Sequence, residues 1–194
     1  MRFRPSSLVL VAFCLAALGT ASGSRAADDD DALRLRAFAV DLAGTTSART
    51  DTLDIAIKRW STPAEVARLR AAMLEKGEAG LLEALQKLEP VGHIRNATSI
   101  GWDLHFSQQV RRPDGSRRIF IATDRPMSFW ETVNRPRSAD YQFLLAEVRL
   151  GPDGKGQGKL VPAAKIDYDD EDKTLYIEEW GREPVRLTEV KVVK

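Results

Sequence analysis

Cysteine is almost absent from this chain: Cys14 is the single one, and its position limits its use further. It lies in an apolar run, Leu8 to Leu18, that follows Arg2 and Arg4 and precedes the small residues Ser24 and Ala26. Charge, apolar run and small-residue exit in that order are the layout of a secretory leader, with cleavage expected after Ala26. A lipoprotein needs a small residue before its acylated cysteine, and Phe13 stands there instead. The expectation is therefore soluble export, to a bacterial periplasm or beyond. The mature part, 27–194, then has no disulfide, no thiol nucleophile and no thiolate metal site.

Other shortages exclude further chemistries. Only two histidines occur, His93 and His105, and no H-E-x-x-H spacing accompanies them. No G-x-S-x-G turn presents a serine nucleophile. Surplus positive charge is lacking as well. The leader takes Arg2, Arg4 and Arg25, so 26 of the 29 basic residues remain against 28 acids, a net charge near −2. Nucleic-acid binding relies on a broad positive field, so no nucleic-acid partner is expected. The leader's apolar run is too short for a bilayer of ~30 Å, and no second run reaches that length, so no transmembrane segment is expected in the mature chain.

Two tempting stretches fail on detail. "GPDGKGQGK" (151–159) is glycine-rich, yet it matches neither the G-x-x-x-x-G-K-[S/T] nor the G-x-G-x-x-G pattern. A strand follows it, leaving no helix N-terminus to receive a phosphate, and it reads as a flexible hairpin loop. "DYDDED" (167–172) lacks the alternating ligands, central glycine and distal glutamate of a helical calcium loop. No cofactor or metal is expected.

What is present builds one domain. Taking 26 residues from 194 leaves 168, enough to bury roughly 70% of the surface of the unfolded chain without staples. Phe38, Val40 and Leu42 alternate on one face, "GTTSART" (44–50) reads as a turn, and Leu53, Ile55 and Ile57 mark a returning strand. From Thr62 the period becomes helical. Thr62, Pro63 and Glu65 form a capping box with proline at the first helical position. Val66, Leu69 and Met73 share a face up to Gly77, and Leu81, Leu85 and Leu88 define a second short helix ending near Pro90. This predicts a helical pair near 63–89, inserted after the second strand.

The remainder reads as strands. Ile100, Trp102, Leu104, Phe106 and Val110 alternate, "RPDGS" turns, and "RRIFIAT" returns. A four-residue loop would set Val110 opposite Ile119, the apolar match, in preference to Arg118. "YQFLLAEVRL", "GKLVPAAKIDY", "KTLYIEEW" and "PVRLTEVKVV" continue the meander, for roughly eight strands. The expected fold is α+β: a mostly antiparallel sheet curled into a partial or closed barrel with two helices against it. An open α+β sandwich is the alternative.

The densest chemistry lies in "TDRPMSFWETVNRPRSADY" (123–141). Arg125, Arg135 and Arg137 balance Asp124, Glu131 and Asp140, which favours arginines paired within the segment over an anion site. Ser128 with Glu131 caps a short helix, Met127, Trp130 and Val133 recur at helical spacing, and Pro136 holds Arg135 extended. The segment is expected to press Trp130 into the sheet or across a barrel mouth. Such a mouth is also where ligands enter, and tryptophan with arginine suits stacking or a bidentate grip on a carboxylate or phosphate. Arg125, Trp130, Arg135, Arg137 and Tyr141 are the candidate ligand-binding residues.

A second candidate is Asp103 with His105, spaced i, i+2 on a polar face with Ser107, as an acid–base pair for a hydrolase. Adjacency alone does not make Ser107 the third member of a triad.

"KRWSTPAE" (58–65), "ATDRPMSFWE" (122–131), "NRPRSADYQF" (134–143) and "GKLVPAAKI" (158–166) resemble runs in a group of exported bacterial proteins to which no activity attaches. The resemblance spans most of the mature chain and implies an exported single domain, with no functional residue carried over. Three readings therefore stand. The first is a non-enzymatic exported domain binding a small ligand or an envelope protein partner; the others are a carboxylate–histidine hydrolase and a structural envelope-associated protein.

Overall fold

The computed structural model describes residues 32–41, 49–124, 143–169, 174–179 and 184–193. They form ten strands and one helix in the order β1 (Leu33–Asp41), β2 (Arg49–Ile57), α1 (Pro63–Gln86), β3 (Gly92–Asn96), β4 (Trp102–Leu104), β5 (Phe106–Arg111), β6 (Arg117–Thr123), β7 (Phe143–Leu150), β8 (Lys155–Asp169), β9 (Thr174–Glu179) and β10 (Val185–Val192). Every pairing is antiparallel, and the sheet runs β4-β3-β2-β1-β10-β8-β7-β6-β5, with β9 beside the far half of β8.

The two ends of that path, β4 and β5, are one stretch of chain interrupted only at His105. Up to Leu104 the stretch pairs with β3, and from Phe106 it pairs with β6. At the changeover the Val91 N–H donates to the Leu104 carbonyl at 2.7 Å and the His105 N–H donates to the Ala122 carbonyl at 3.0 Å. A strand that changes partners in this way draws the two sheet edges together. The result is a nearly closed barrel, which removes most exposed edge, and the open sandwich is set aside.

Alternation fills the interior. Leu33, Leu35, Ala37 and Ala39 of β1 point inward with Leu53, Ile55 and Ile57 of β2 and with Ile94, Leu104, Ile119, Ile121, Leu144, Val148, Leu160 and Leu187. Each of these side chains is buried. Fully burying one such side chain contributes about 1.5–3 kcal/mol before entropy is counted. A second apolar layer forms outside the barrel. There Leu69, Leu85 and Leu88, in and just after α1, meet Phe106, Ala122 and Phe143, with Phe120, Leu145 and Val161 at the margin. Strands β6 and β7 are thus apolar on both faces, Ile119 and Ile121 facing in and Phe120 and Ala122 facing α1.

Several expectations change. Phe38 and Val40 do share a face of β1, and it is the outer one, Phe38 being 40% exposed, while Leu35, Ala37 and Ala39 fill the interior; Leu42 lies outside the described residues. The helical pair is a single helix, Pro63–Gln86, with a break inside it. Gly77 has φ +64° and ψ −152°, so the axis kinks there, but no loop separates two helices. The glycine supplies the left-handed geometry. The start is as the sequence indicates: Thr62 accepts from the Glu65 N–H while Glu65 reaches back to the Thr62 N–H.

Val110 faces Arg118, not Ile119. The Pro113–Asp114–Gly115 loop has three residues, with Gly115 at φ +81° and the Arg112 N–H donating to Ser116. That is the geometry of a type I turn closed by a left-handed glycine, and it outweighs an apolar match for a Val110 side chain that is exposed. Within "GPDGKGQGK" only Gly151–Gly154 turn, and Lys155–Lys159 are already strand. Gly156 is needed in that strand because a Cβ would run into the Arg149 carbonyl. Among the described residues the strands number ten, against roughly eight expected; the short β3, "GHIRN", has no strong alternation to announce it.

Candidate functional site

The barrel seam brings polar groups together in an otherwise aliphatic structure. Around the changeover Leu104, His105, Phe106 and Ser107 are all buried, whereas regular alternation would expose every second residue. The kink at His105 sends Leu104 into the barrel core and Phe106 into the layer under α1. His105 is left between them, with its Nδ1 3.0 Å from the Leu88 carbonyl. A carbonyl only accepts, so Nδ1 carries the proton of that bond. Nε2 faces Asp124 Oδ1 at 3.7 Å, just past the end of β6.

Ser107, two residues on, is fully buried and committed to structure. Its hydroxyl donates to the Arg59 carbonyl at 2.8 Å, and its N–H donates to Ser61 Oγ at 3.0 Å. The serine hydroxyl is therefore directed at a backbone oxygen, not at the imidazole. Asp103 is exposed in β4, and the pairing register sets it opposite His93 of β3. The carboxylate beside His105 is thus that of Asp124, and the expected Asp103–His105–Ser107 face is broken by the kink.

Arg59 ties the surroundings of the seam together. Its guanidinium grips Glu65 through two bonds of 2.9 Å and also donates to the Glu89 carbonyl at 3.2 Å. One side chain thereby links the first turn of α1 to the segment that follows its last. The Arg59 guanidinium holds the Glu65 carboxyl down at about 2, against the opposing effect of burial; the Thr62 N–H, 2.7 Å away, assists.

Arg125, Trp130, Arg135, Arg137 and Tyr141 lie outside the described residues. The residues that flank them do not: Asp124 leaves β6 beside His105, and Phe143 enters β7 buried in the layer under α1. The arginine- and tryptophan-rich segment thus departs from the seam's polar cluster and returns at the start of β7. Asp124, Arg59 and the Leu88 carbonyl were missed as members of this cluster. Their signals were present but weak: Asp124 adjoins Arg125, and Arg59 lies within the quoted run "KRWSTPAE". Nothing local to His105 marks Leu88, 17 residues away, as its partner.

Among the described residues no three His, Cys, Asp or Glu side chains gather as a metal-binding group, and no helix is long and apolar enough to cross a membrane. The class defined by the described residues is an antiparallel, nearly closed barrel with a kinked helix on its outer wall. No protein-family model, curated protein or solved structure matches the chain.

Proposed function

We propose that this is an exported, non-enzymatic binding domain that takes a small ligand or an envelope protein partner at the barrel rim where β6 ends and β7 begins. One observation carries the reading: the contact between buried His105 and half-buried Asp124 lies directly at the point where the segment bearing Arg125, Trp130, Arg135, Arg137 and Tyr141 departs. The packed aliphatic interior supports a rim site over an internal one, because the side chains that line it are consumed by each other. The N-terminal layout and the resemblance to exported bacterial proteins support export to the periplasm or medium. The commitment of the Ser107 hydroxyl to the Arg59 carbonyl counts against a serine hydrolase at this seam.

The test is native mass spectrometry on protein exported and purified gently, with Trp130→Ala and Arg135→Ala variants alongside. An adduct retained by the wild type and lost from the variants supports a small-ligand rim site. An adduct retained equally by both variants places binding elsewhere. A bare mass, with no partner captured through the wild-type rim that the variants fail to capture, removes the reading.

A further inference from the structure

The helix covers the β5–β8 side of the barrel, and no described helix covers the outer face of β10, β1, β2 and β3. That face is cationic although the whole chain is nearly neutral, at +1. The pairing register sets Arg186 beside Lys159, Lys191 beside Arg36, and Asp54 between Arg36 and Arg95. Arg34 shares the face two residues before Arg36. All of these cations are exposed.

Acids on the face are fewer. Asp54 is held by two guanidiniums, Arg36 at 2.8 Å and Arg95 at 3.6 Å, so that group remains net positive. Glu189 is exposed at the β10 bulge with φ +50°. Among these charges stands one apolar side chain, Phe38, 40% exposed. Phe38 is placed between Thr52 and Thr188, outside the packed core.

Cations grouped around an exposed aromatic side chain suit an interface of anionic headgroups over acyl chains. A single strand of nucleic acid is instead tracked by a positive groove. This face is the outside of a barrel and convex, so it can meet a plane but does not enclose a strand. We propose that the β10–β1–β2–β3 face docks the protein on an anionic lipid surface, Arg34, Arg36, Arg186 and Lys191 meeting headgroup phosphates and Phe38 entering at headgroup level. This surface is separate from the rim site, and either reading can fail alone.

The test is co-sedimentation of the full chain with vesicles of phosphatidylcholine alone or phosphatidylcholine with phosphatidylglycerol, at low and high sodium chloride. The expected result is partition to the phosphatidylglycerol vesicles only, weakened by salt. Arg186→Glu with Lys191→Glu should lower that partition by at least about tenfold, given the pull of an anionic surface on each nearby cation. Phe38→Ala should weaken it several-fold. Thermal melts confirm that the variants are folded, and Arg186→Gln with Lys191→Gln replaces the charge reversal if that pair does not fold. Equal sedimentation with both vesicle types, or an unaltered partition of the charge variants, overturns the proposal. So does binding of a fluorescent single-stranded oligonucleotide through this face without vesicle binding.

Discussion

Replacing Glu65 with glutamine tests whether one fork holds α1 to the barrel. Glu65 receives both terminal nitrogens of Arg59 at 2.9 Å and the Thr62 N–H at 2.7 Å, and its carboxyl is held down to about 2 from an ordinary 4.5. Taken whole, that depression corresponds to about 3 kcal/mol. The Arg59 side chain is 34% exposed and Glu65 17%, so solvent screens the pair, leaving about 1–2 kcal/mol. Because the folded value lies below the unfolded one, the contribution is complete above about pH 5 and fades as the pH falls toward 2. Urea unfolding of wild type and Glu65→Gln should therefore show a gap of about 1–2 kcal/mol near neutrality, which closes on acidification. At neutral pH the melting temperature should drop by about 2–8 °C. A gap that stays constant into acid would refute the electrostatic account, and no gap at neutrality would mean that the fork does not hold the helix.

Three other substitutions probe the fold. Leu35→Ala, at a fully buried position, should cost about 2–5 kcal/mol, whereas Phe38→Ala on the outer face should change urea stability by less than about 1 kcal/mol; a reversed order would overturn the facing of β1. Gly77→Ala meets no atom within 4 Å but must adopt φ +64° with ψ −152°, so a loss of about 1–3 kcal/mol in thermal unfolding is expected from backbone strain alone. Gly156→Ala places a methyl against the Arg149 carbonyl, so it should shift the denaturation midpoint more than Gly77→Ala does. Equal shifts would argue against the close β7–β8 approach.

What was legible in advance followed from local rules. Thr62, Pro63 and Glu65 announce the helix start because capping is a contact among neighbours in sequence. The β1–β2 hairpin and the antiparallel, barrel-like character follow from alternation. Facing is harder. Phe38 and Val40 are bulkier than Ala37 and Ala39, so size points the wrong way, and only the barrel's limited interior selects the alanines. Gly77 gave a correct signal for broken helix geometry but could not tell a kink from a loop. The seam was not legible, because the Leu88, Arg59 and Asp124 partners of His105 and Ser107 arrive from other elements and only the closed barrel brings them together.

The position of β1 also bears on when the barrel can form. It lies between β2, its near neighbour in sequence, and β10, whose Thr188 hydroxyl donates to the Phe38 carbonyl across 150 residues. Closing a loop of that length costs about 4 kcal/mol in chain entropy, against a far smaller cost for the β1–β2 hairpin. The seam, by contrast, joins segments close together in the chain: β3 with β4, and β5 with β6. Folding order is thereby imposed by topology. Hairpins can assemble as the chain emerges, but the inner strand β1 has no second partner until the C-terminal residues arrive. A chain truncated before Val185 would leave one edge of β1 bare, and with it a route to intermolecular pairing.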